Sequence, residues 1–316
     1  MKKVLITGAL GQIGTDLSEA LVERLGTDNV ISCYHRKKPE VMDGSRGLYE
    51  HLDVTKPGEL DALMEKYQPD TIVHMASLLS ATAEKKPLMA WDINMNGLIQ
   101  VLEAGRKYNA LVLNPSSIAV FGPDSPKDNT PQDTILRPTS IYGVTKVAGE
   151  LLSDYYFTKY QVDTRGLRYP GLISYKTLPG GGTTDYAVDI YFQAIQKGCY
   201  TCYLKEDTSI DMMYMPDAIK ATIDLMDADP STLKHRNAFN VSAMAFTPAE
   251  IAASIKKFMP DFTINYEIDP ERQSIADSWP NSIDDTAARE EWGWKNDFDL
   301  DAMTKDMLEN LKKILK

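Results

Sequence analysis

Tyr142 and Lys146 stand four residues apart. On a helix that spacing is just over one turn, so both side chains emerge on one face, with bases about 5–6 Å apart. A lysine ammonium beside a phenol favours the phenolate and lowers a tyrosine pKa from its usual value of about 10. The pair is therefore a candidate acid/base for moving a hydroxyl proton near neutral pH. The same spacing recurs by chance in exposed helices, and a second pattern gives it weight here. Gly8, Gly11 and Gly14 follow the apolar run Val4, Leu5 and Ile6, with Gln12 and Ile13 inside the turn. Residues 15–25 then read as a helix with Leu17, Ala20, Leu21 and Leu25 on one side. Strand, glycine turn and helix form the context of a dinucleotide site, although the spacing is G-x-x-G-x-x-G rather than G-x-G-x-x-G. Glycine lets the backbone approach a pyrophosphate, and the helix N-terminus offers free N–H groups.

The elements that must position these residues alternate in type. Apolar runs at 3–7, 30–34, 47–51, 71–74, 110–115 and 163–168 read as strands, with helices near 15–25, 58–67, 87–107 and 141–160 between them. That alternation predicts an α/β protein with a doubly wound parallel sheet. Ligands of such sheets lie beyond the C-terminal strand ends, so the loops after residues 7, 74, 115 and 168 should share a cleft. After Pro170 the texture changes: Pro179, Gly180, Gly181 and Gly182 read as a flexible loop before a helix at 186–197. Short strands at 202–204, 238–241 and 263–266 and helices starting at Pro216, Thr247 and Ser282 follow. The expectation is a dinucleotide-binding domain over 1–175 and a smaller α/β substrate lobe over 176–316, with some chain crossing back to the sheet.

Composition narrows the function classes. The 316 residues are 43% hydrophobic, ordinary for a globular chain, with 34 Lys and Arg against 45 Asp and Glu, a net charge of −11. An acidic chain without a basic run is poorly suited to a phosphate backbone, so no nucleic-acid partner is expected. No apolar stretch approaches the roughly 20 residues that span a bilayer, so no membrane partner is expected either. The first strand begins by residue 4, leaving no room for a signal peptide, and a cytoplasmic protein is expected. Cys199 and Cys202 have C-x-x-C spacing, but no second pair joins them and Cys33 is distant. The histidines at 35, 51, 74 and 235 make no metal-binding pattern, so no metal site is expected.

Each loop at the expected cleft carries something. Asp53 and Val54 follow the third strand, and Met75, Ala76 and Ser77 the fourth, where small residues let a cofactor lie close. Asn94 lies on the preceding long helix, and Ser116 and Ser117 end the fifth strand. With Tyr142 and Lys146, Ser117 and Asn94 resemble the Ser–Tyr–Lys–Asn group of the extended short-chain dehydrogenase/reductases, whose sheet is Rossmann-type. The runs Pro115-Ser116-Ser117-Ile118-Ala119-Val120-Phe121-Gly122-Pro123 and Ile275-Ala276-Asp277-Ser278-Trp279-Pro280, with those at 77–85, 168–174 and 179–188, resemble the short-chain-type L-threonine 3-dehydrogenases over nearly the whole chain. The resemblance implies NAD-dependent oxidation of the L-threonine β-hydroxyl to 2-amino-3-oxobutanoate, in cytoplasmic threonine catabolism.

It also implies roles. Tyr142 is the base, assisted by Lys146. Residue type does not separate Ser116 from Ser117 as the hydroxyl donor. The spacing to Gly122, read against the epimerase relatives, favours Ser117 and leaves Ser116 to the substrate. Pro170 and Leu172 join the cofactor contacts. Ser80, Thr183, Thr184, Asp185 and Trp279 fall to the substrate, with hydroxyls on the carboxylate and Asp185 on the ammonium. Asp185 reads equally as an N-cap before Tyr186, and Trp279 as core. Relatives pair through helices near 95–107 and 141–160, so a homodimer is expected. One position departs from the pattern: Tyr34 stands where relatives carry an aspartate against the adenine ribose, with Arg36, Lys37 and Lys38 following. NAD remains the expected cofactor, with NADP as the minor alternative, and Asp53 is placed against the adenine. The other readings are a sugar-nucleotide epimerase or dehydratase on the same scaffold, and a non-catalytic dinucleotide-binding regulator.

Overall fold

The apolar run near the N-terminus forms strand β1 (Val4–Thr7), every residue of which is buried. Strands β2 (Val30–Tyr34), β3 (Leu48–His51), β4 (Thr71–His74) and β5 (Leu111–Leu113) follow. The computed structural model describes the whole chain except residues 37, 40–42, 177–181 and 316. Of the glycine-rich stretch expected to be flexible, residues 179–181 lie outside the described residues, as does Lys37.

The expected strand at 163–168 is two strands. Strand β6 (Ser116–Ser117) precedes them; β7 (Thr164–Arg165) pairs with β5, whereas β8 (Leu167–Tyr169) pairs with β6 and with a strand at Phe239–Asn240. Gly166 allows the switch, because a Cβ there would lie 2.6 Å from the Asn237 carbonyl oxygen and 2.7 Å from that of Asn114. The main sheet has the order β3-β2-β1-β4-β5-β7, and all its neighbours are parallel. The order reverses between β1 and β4, which puts a ligand cleft beyond their C-terminal ends.

Helices α1 (Gln12–Leu25), α2 (Glu59–Tyr67), α3 (Ser80–Lys85), α4 (Pro87–Trp91), α5 (Gly97–Tyr108) and α6 (Ile141–Tyr160) belong with this sheet. Leu98, Val101 and Leu102 recur at helical spacing on α5 and join Leu60 and Met64 of α2 against Leu5, Ile31, Ile72 and Val112 of the strands. Truncating such a residue, for example Leu102→Ala, costs about 2–5 kcal/mol. The expected single helix over 87–107 is interrupted by a π-helical turn, Asp92–Asn96. Such an inserted turn re-aims the side chains around it, and it often marks a functional position.

Contacts divide the chain into two units of three segments each, where the expectation is a domain over 1–175 and a lobe over 176–316 with some chain crossing back to the sheet. The first comprises Met1–Val120, Pro138–Arg168 and Ile219–Phe239; the second comprises Phe121–Arg137, Tyr169–Ala218 and Asn240–Lys316. Buried Arg165 fastens the late segment of the first unit, donating to the carbonyls of Leu225, Met226 and Ala228 at 2.7–3.2 Å. Asp163 bridges Arg165 and Arg236, at 2.8 and 2.7 Å.

The second unit holds a three-stranded sheet of Gly171–Ile173, Ile210–Tyr214 and Met244–Phe246, and a parallel pair of Cys199–Cys202 with Thr263–Tyr266. Thr247 caps Pro248–Phe258 in a reciprocal capping box with Glu250, as its position before a proline predicts. The helix expected from Ser282 starts at Thr286. The strand Ile210–Tyr214 has no clear sequence signal, because Asp211 interrupts its apolar run although all five residues are buried.

Candidate active site

The glycine turn forms as its residue types require. Gly8 has φ +63°, and a Cβ there would fall 2.8 Å from the backbone nitrogen of Ala76. A Cβ on Gly14 would fall 2.6 Å from the Gly8 carbonyl oxygen, and Gly11 is the N-cap of α1 without a side-chain cap. Thr7 ties this turn to the loop after β4: its carbonyl accepts from Met75 N (3.1 Å) and its hydroxyl oxygen from Ala76 N (3.1 Å). The same hydroxyl lies 3.0 Å from His74 Nδ1. Burial pulls His74 down to about 3, with Lys146 acting in the same direction, so the imidazole is neutral at physiological pH.

The second half of the site is the start of α6. Ser140 Oγ accepts from Gly143 N at 3.0 Å and fixes the first turn. Gly143 lets that turn settle on the loop after β6, since a Cβ would approach the Ala119 carbonyl oxygen within 2.2 Å. Tyr142 is thereby brought within hydrogen-bonding reach of Ser117. Lys146 donates to the Pro115 carbonyl oxygen at 2.7 Å, and its Nζ lies 5.5 Å from the centre of the Tyr142 ring. The pair thus shares one face, as its spacing predicts.

Its electrostatics differ from the expectation of a lowered phenol. Burial pushes Tyr142 up to about 12, opposed by the Ser117 hydrogen bond, and burial pulls Lys146 down to about 8 against the attraction of Glu150. The surrounding protein disfavours charge on both partners more strongly than the sequence spacing suggests.

Asn94, delivered inward by the π turn, holds two segments together. Its Oδ1 accepts from Leu78 N (2.7 Å) and Ser77 Oγ (3.2 Å), while Nδ2 donates to the Leu78 carbonyl and to Thr145 Oγ1. Beside it a polar cavity of about 10 Å³, bordered by His74, Asn114 and Lys146, is the size of one water molecule. Ser116 is directed elsewhere: it is buried and donates to Glu150 at 2.5 Å. Ser80 begins α3. Asp53 accepts from Thr55 N and Oγ1 at 3.0 and 2.7 Å. Burial opposes ionisation there, but those hydrogen bonds hold its carboxyl below the usual range. Tyr34 packs edge-on against His51, with ring centres 5.9 Å apart, and Arg36 is exposed.

In the second unit, Leu172 pairs with Met213, and Gly171 leaves room for Thr184, whose Cγ2 would lie 2.9 Å from an added Cβ. Asp185 does not cap the following helix through its side chain. Its Oδ2 instead accepts from Gly182 N at 2.8 Å, closing the short turn that carries Thr183 and Thr184. Trp279 is half-buried, and its carbonyl accepts from Lys127 Nζ. Among the described residues no cluster of His, Cys, Asp and Glu suits a metal, and no helix is long and apolar enough to cross a membrane.

The profile of the NAD dependent epimerase/dehydratase family matches residues 4–242. The chain belongs to that family. An uncharacterized epimerase/dehydratase of Staphylococcus saprophyticus is 55% identical to it over 99% of this chain and 98% of its own length. Among solved structures, L-threonine dehydrogenase from Clostridium difficile superposes with a TM-score of 0.97 at 57% identity, over 99% of this chain and 98% of that one. A monomeric L-threonine 3-dehydrogenase from a metagenome gives 0.94 at 45%, over 99% and 100%.

Family membership makes this an NAD-dependent oxidoreductase fold with a nicotinamide dinucleotide cofactor. The residues present fit such a group. Gly8 and Gly14 sit where a side chain would collide with backbone, and the uncapped N-terminus of α1 offers N–H groups to a pyrophosphate. Sequence reasoning missed Thr7, His74, Thr145 and Glu150. Glu150 alone carried a signal, since Tyr142, Lys146 and Glu150 repeat at four-residue intervals along α6.

Proposed function

We propose that the protein oxidises the β-hydroxyl of L-threonine with NAD, giving 2-amino-3-oxobutanoate. The observation that carries this reading is the meeting of Tyr142, Lys146 and Ser117 in a chain so like a solved L-threonine dehydrogenase along nearly its whole length. Tyr142 takes the hydroxyl proton, and Ser117 donates a hydrogen bond to the same oxygen. Lys146 lowers the cost of the phenolate. A bound nicotinamide cofactor would supply the acceptor for the hydride lost from Cβ and a positive charge that favours the phenolate. The electron pair of the broken O–H bond becomes the second bond of the new carbonyl. Gly8, Gly11 and Gly14 would hold the pyrophosphate of that cofactor and Asp53 and Val54 its adenine, and residues 75–77 would let it lie close.

On the substrate side the reading assigns the carboxylate to Thr183 and Thr184 and the ammonium to Asp185. The second reading, a sugar-nucleotide epimerase or dehydratase, is favoured by the naming of the staphylococcal relative. Following nicotinamide reduction with L-threonine, L-serine and UDP- or dTDP-sugars separates the two: threonine turnover is expected. Turnover of a nucleotide sugar with none of threonine would sink the proposal.

A homodimer through α5 and α6 belongs to the same reading. Ile99, Val144, Leu151 and Tyr155 are 36%, 40%, 64% and 51% exposed on those helices. A solution mass equal to one chain would exclude the dimer, as the monomeric relative warns.

A further inference from the structure

Glu150 lies one helical turn beyond Lys146 on α6 and is 4% exposed. Its carboxylate accepts three hydrogen bonds from two equally buried donors. Ser116 Oγ reaches Oε1 at 2.5 Å, and Arg168 binds in a two-pronged pair, Nε to Oε1 and Nη2 to Oε2, each at 2.9 Å. Ser116 and Arg168 stand on the adjacent strands β6 and β8. A carboxylate with so many donors is fixed in place. It is built to hold still, and it holds two things that matter to the site: the residue next to Ser117, and the helix that carries Tyr142 and Lys146.

We propose that Glu150 is a positioning residue of the active site, locking α6 in register with the Ser117 strand and supplying the negative charge that faces Lys146. The proposal rests on the assignment of Tyr142 and Lys146 as the reacting pair. Among the described residues, few groups stand around the Lys146 ammonium. Tyr142 and Glu150 lie on its own helix, neutral His74 on β4, the Pro115 carbonyl after β5, and Arg168 on β8 behind the carboxylate. Glu150 is the one acidic side chain among them. Burial pulls Lys146 down to about 8, and the attraction of Glu150 is what opposes it. A purely structural clasp would explain the packing, but it would leave the titration of Lys146 unchanged when the charge alone is removed.

The test compares Glu150→Gln with wild type by following the lysine 13Cε signal lost in Lys146→Arg through a pH titration. Glutamine keeps the shape and one acceptor. The midpoint is expected to fall by at least about half a unit, and the high-pH limb of kcat should move down with it. The titration uses no substrate, so a failure of the threonine reading and a failure of this role are distinguishable. Removing one partner of a buried pair is strongly destabilising. If Glu150→Gln does not fold, Glu150→Gln/Arg168→Met removes both charges and should still lower the midpoint, by less than Glu150→Gln, because the repulsion from Arg168 is lost with the attraction from Glu150. Ser116→Ala tests the register arm: a fall in kcat of about threefold or more, with KM for NAD and the lysine midpoint unchanged, is expected. A lysine midpoint and kcat profile that overlay wild type, whatever the loss in Tm, would overturn the proposal.

Discussion

Replacing Lys146 by methionine removes the ammonium while keeping most of the side-chain volume. The Tyr142 phenol stands at about 12 and the Lys146 amine at about 8, a gap of about four units. Moving the proton from phenol to amine therefore costs about 5 kcal/mol before the two new charges attract each other. The lysine nitrogen lies 5.5 Å from the ring centre. At that range, with an effective dielectric of about 20, the attraction is about 3 kcal/mol. The ion pair thus lies only about 2 kcal/mol above the neutral pair, and an ammonium lowers the tyrosine by about two units. Lys146→Met should then reduce kcat/KM for L-threonine by about 10²-fold near pH 7.5. The sign follows from the charge: below about 8 wild-type Lys146 is cationic and assists, and the variant has no such range. Reduction of NAD is followed across about pH 6–10, with Lys146→Arg as the charged control. A methionine variant with more than about a tenth of wild-type kcat/KM, or a loss confined to KM for NAD, would refute the reasoning.

Three further outcomes are expected. Gly14→Ala places a methyl 2.6 Å from the Gly8 carbonyl oxygen and 2.8 Å from Ala9 Cα, both backbone. Helix α1 must shift, costing about 1–3 kcal/mol, and NAD affinity should fall more than about tenfold; an unchanged Kd by fluorescence titration contradicts this. Asp185→Asn retains an acceptor for Gly182 N, so the turn survives, yet KM for L-threonine should rise about tenfold if the carboxylate holds an ammonium. Unchanged threonine kinetics with unchanged Tm would confine Asp185 to the turn. Tyr34→Asp should depress kcat/KM with NADP more than with NAD, because an acid at this strand end repels a 2′-phosphate. A wild type that prefers NADP would overturn NAD as the cofactor.

The parallel sheet was legible because its central strands are short apolar runs that a helix must follow, and β2, β4 and α6 match their expected bounds. The pairing on α6 was legible for the same reason: helical spacing is set locally, so Tyr142 and Lys146 share one face whatever the rest of the chain does. What depends on distant partners was not legible. The break at Gly166 arises from carbonyls of Asn114 and Asn237, far away in sequence. Ser116 looked like a substrate residue because its buried acceptor, Glu150, is 34 positions away. The direction of the Tyr142 shift failed similarly, since spacing reveals the neighbouring charge but not the loss of water around both groups.

Arg165 has a consequence for how the molecule is made. It belongs to the sixth strand of the main sheet, yet the carbonyls it binds belong to residues 225–228, and its companion Asp163 waits for Arg236. During synthesis at about 5–20 residues per second, the intervening residues 169–218 alone take roughly 3–10 s. Through that interval the last strand of the sheet carries the Asp163–Arg165 charge pair rather than a bare apolar edge, and charged side chains at a strand edge discourage edge-to-edge pairing. The same side chain that fastens the finished unit thus guards the unfinished one, and the edge is sealed only when the ribosome delivers its cover.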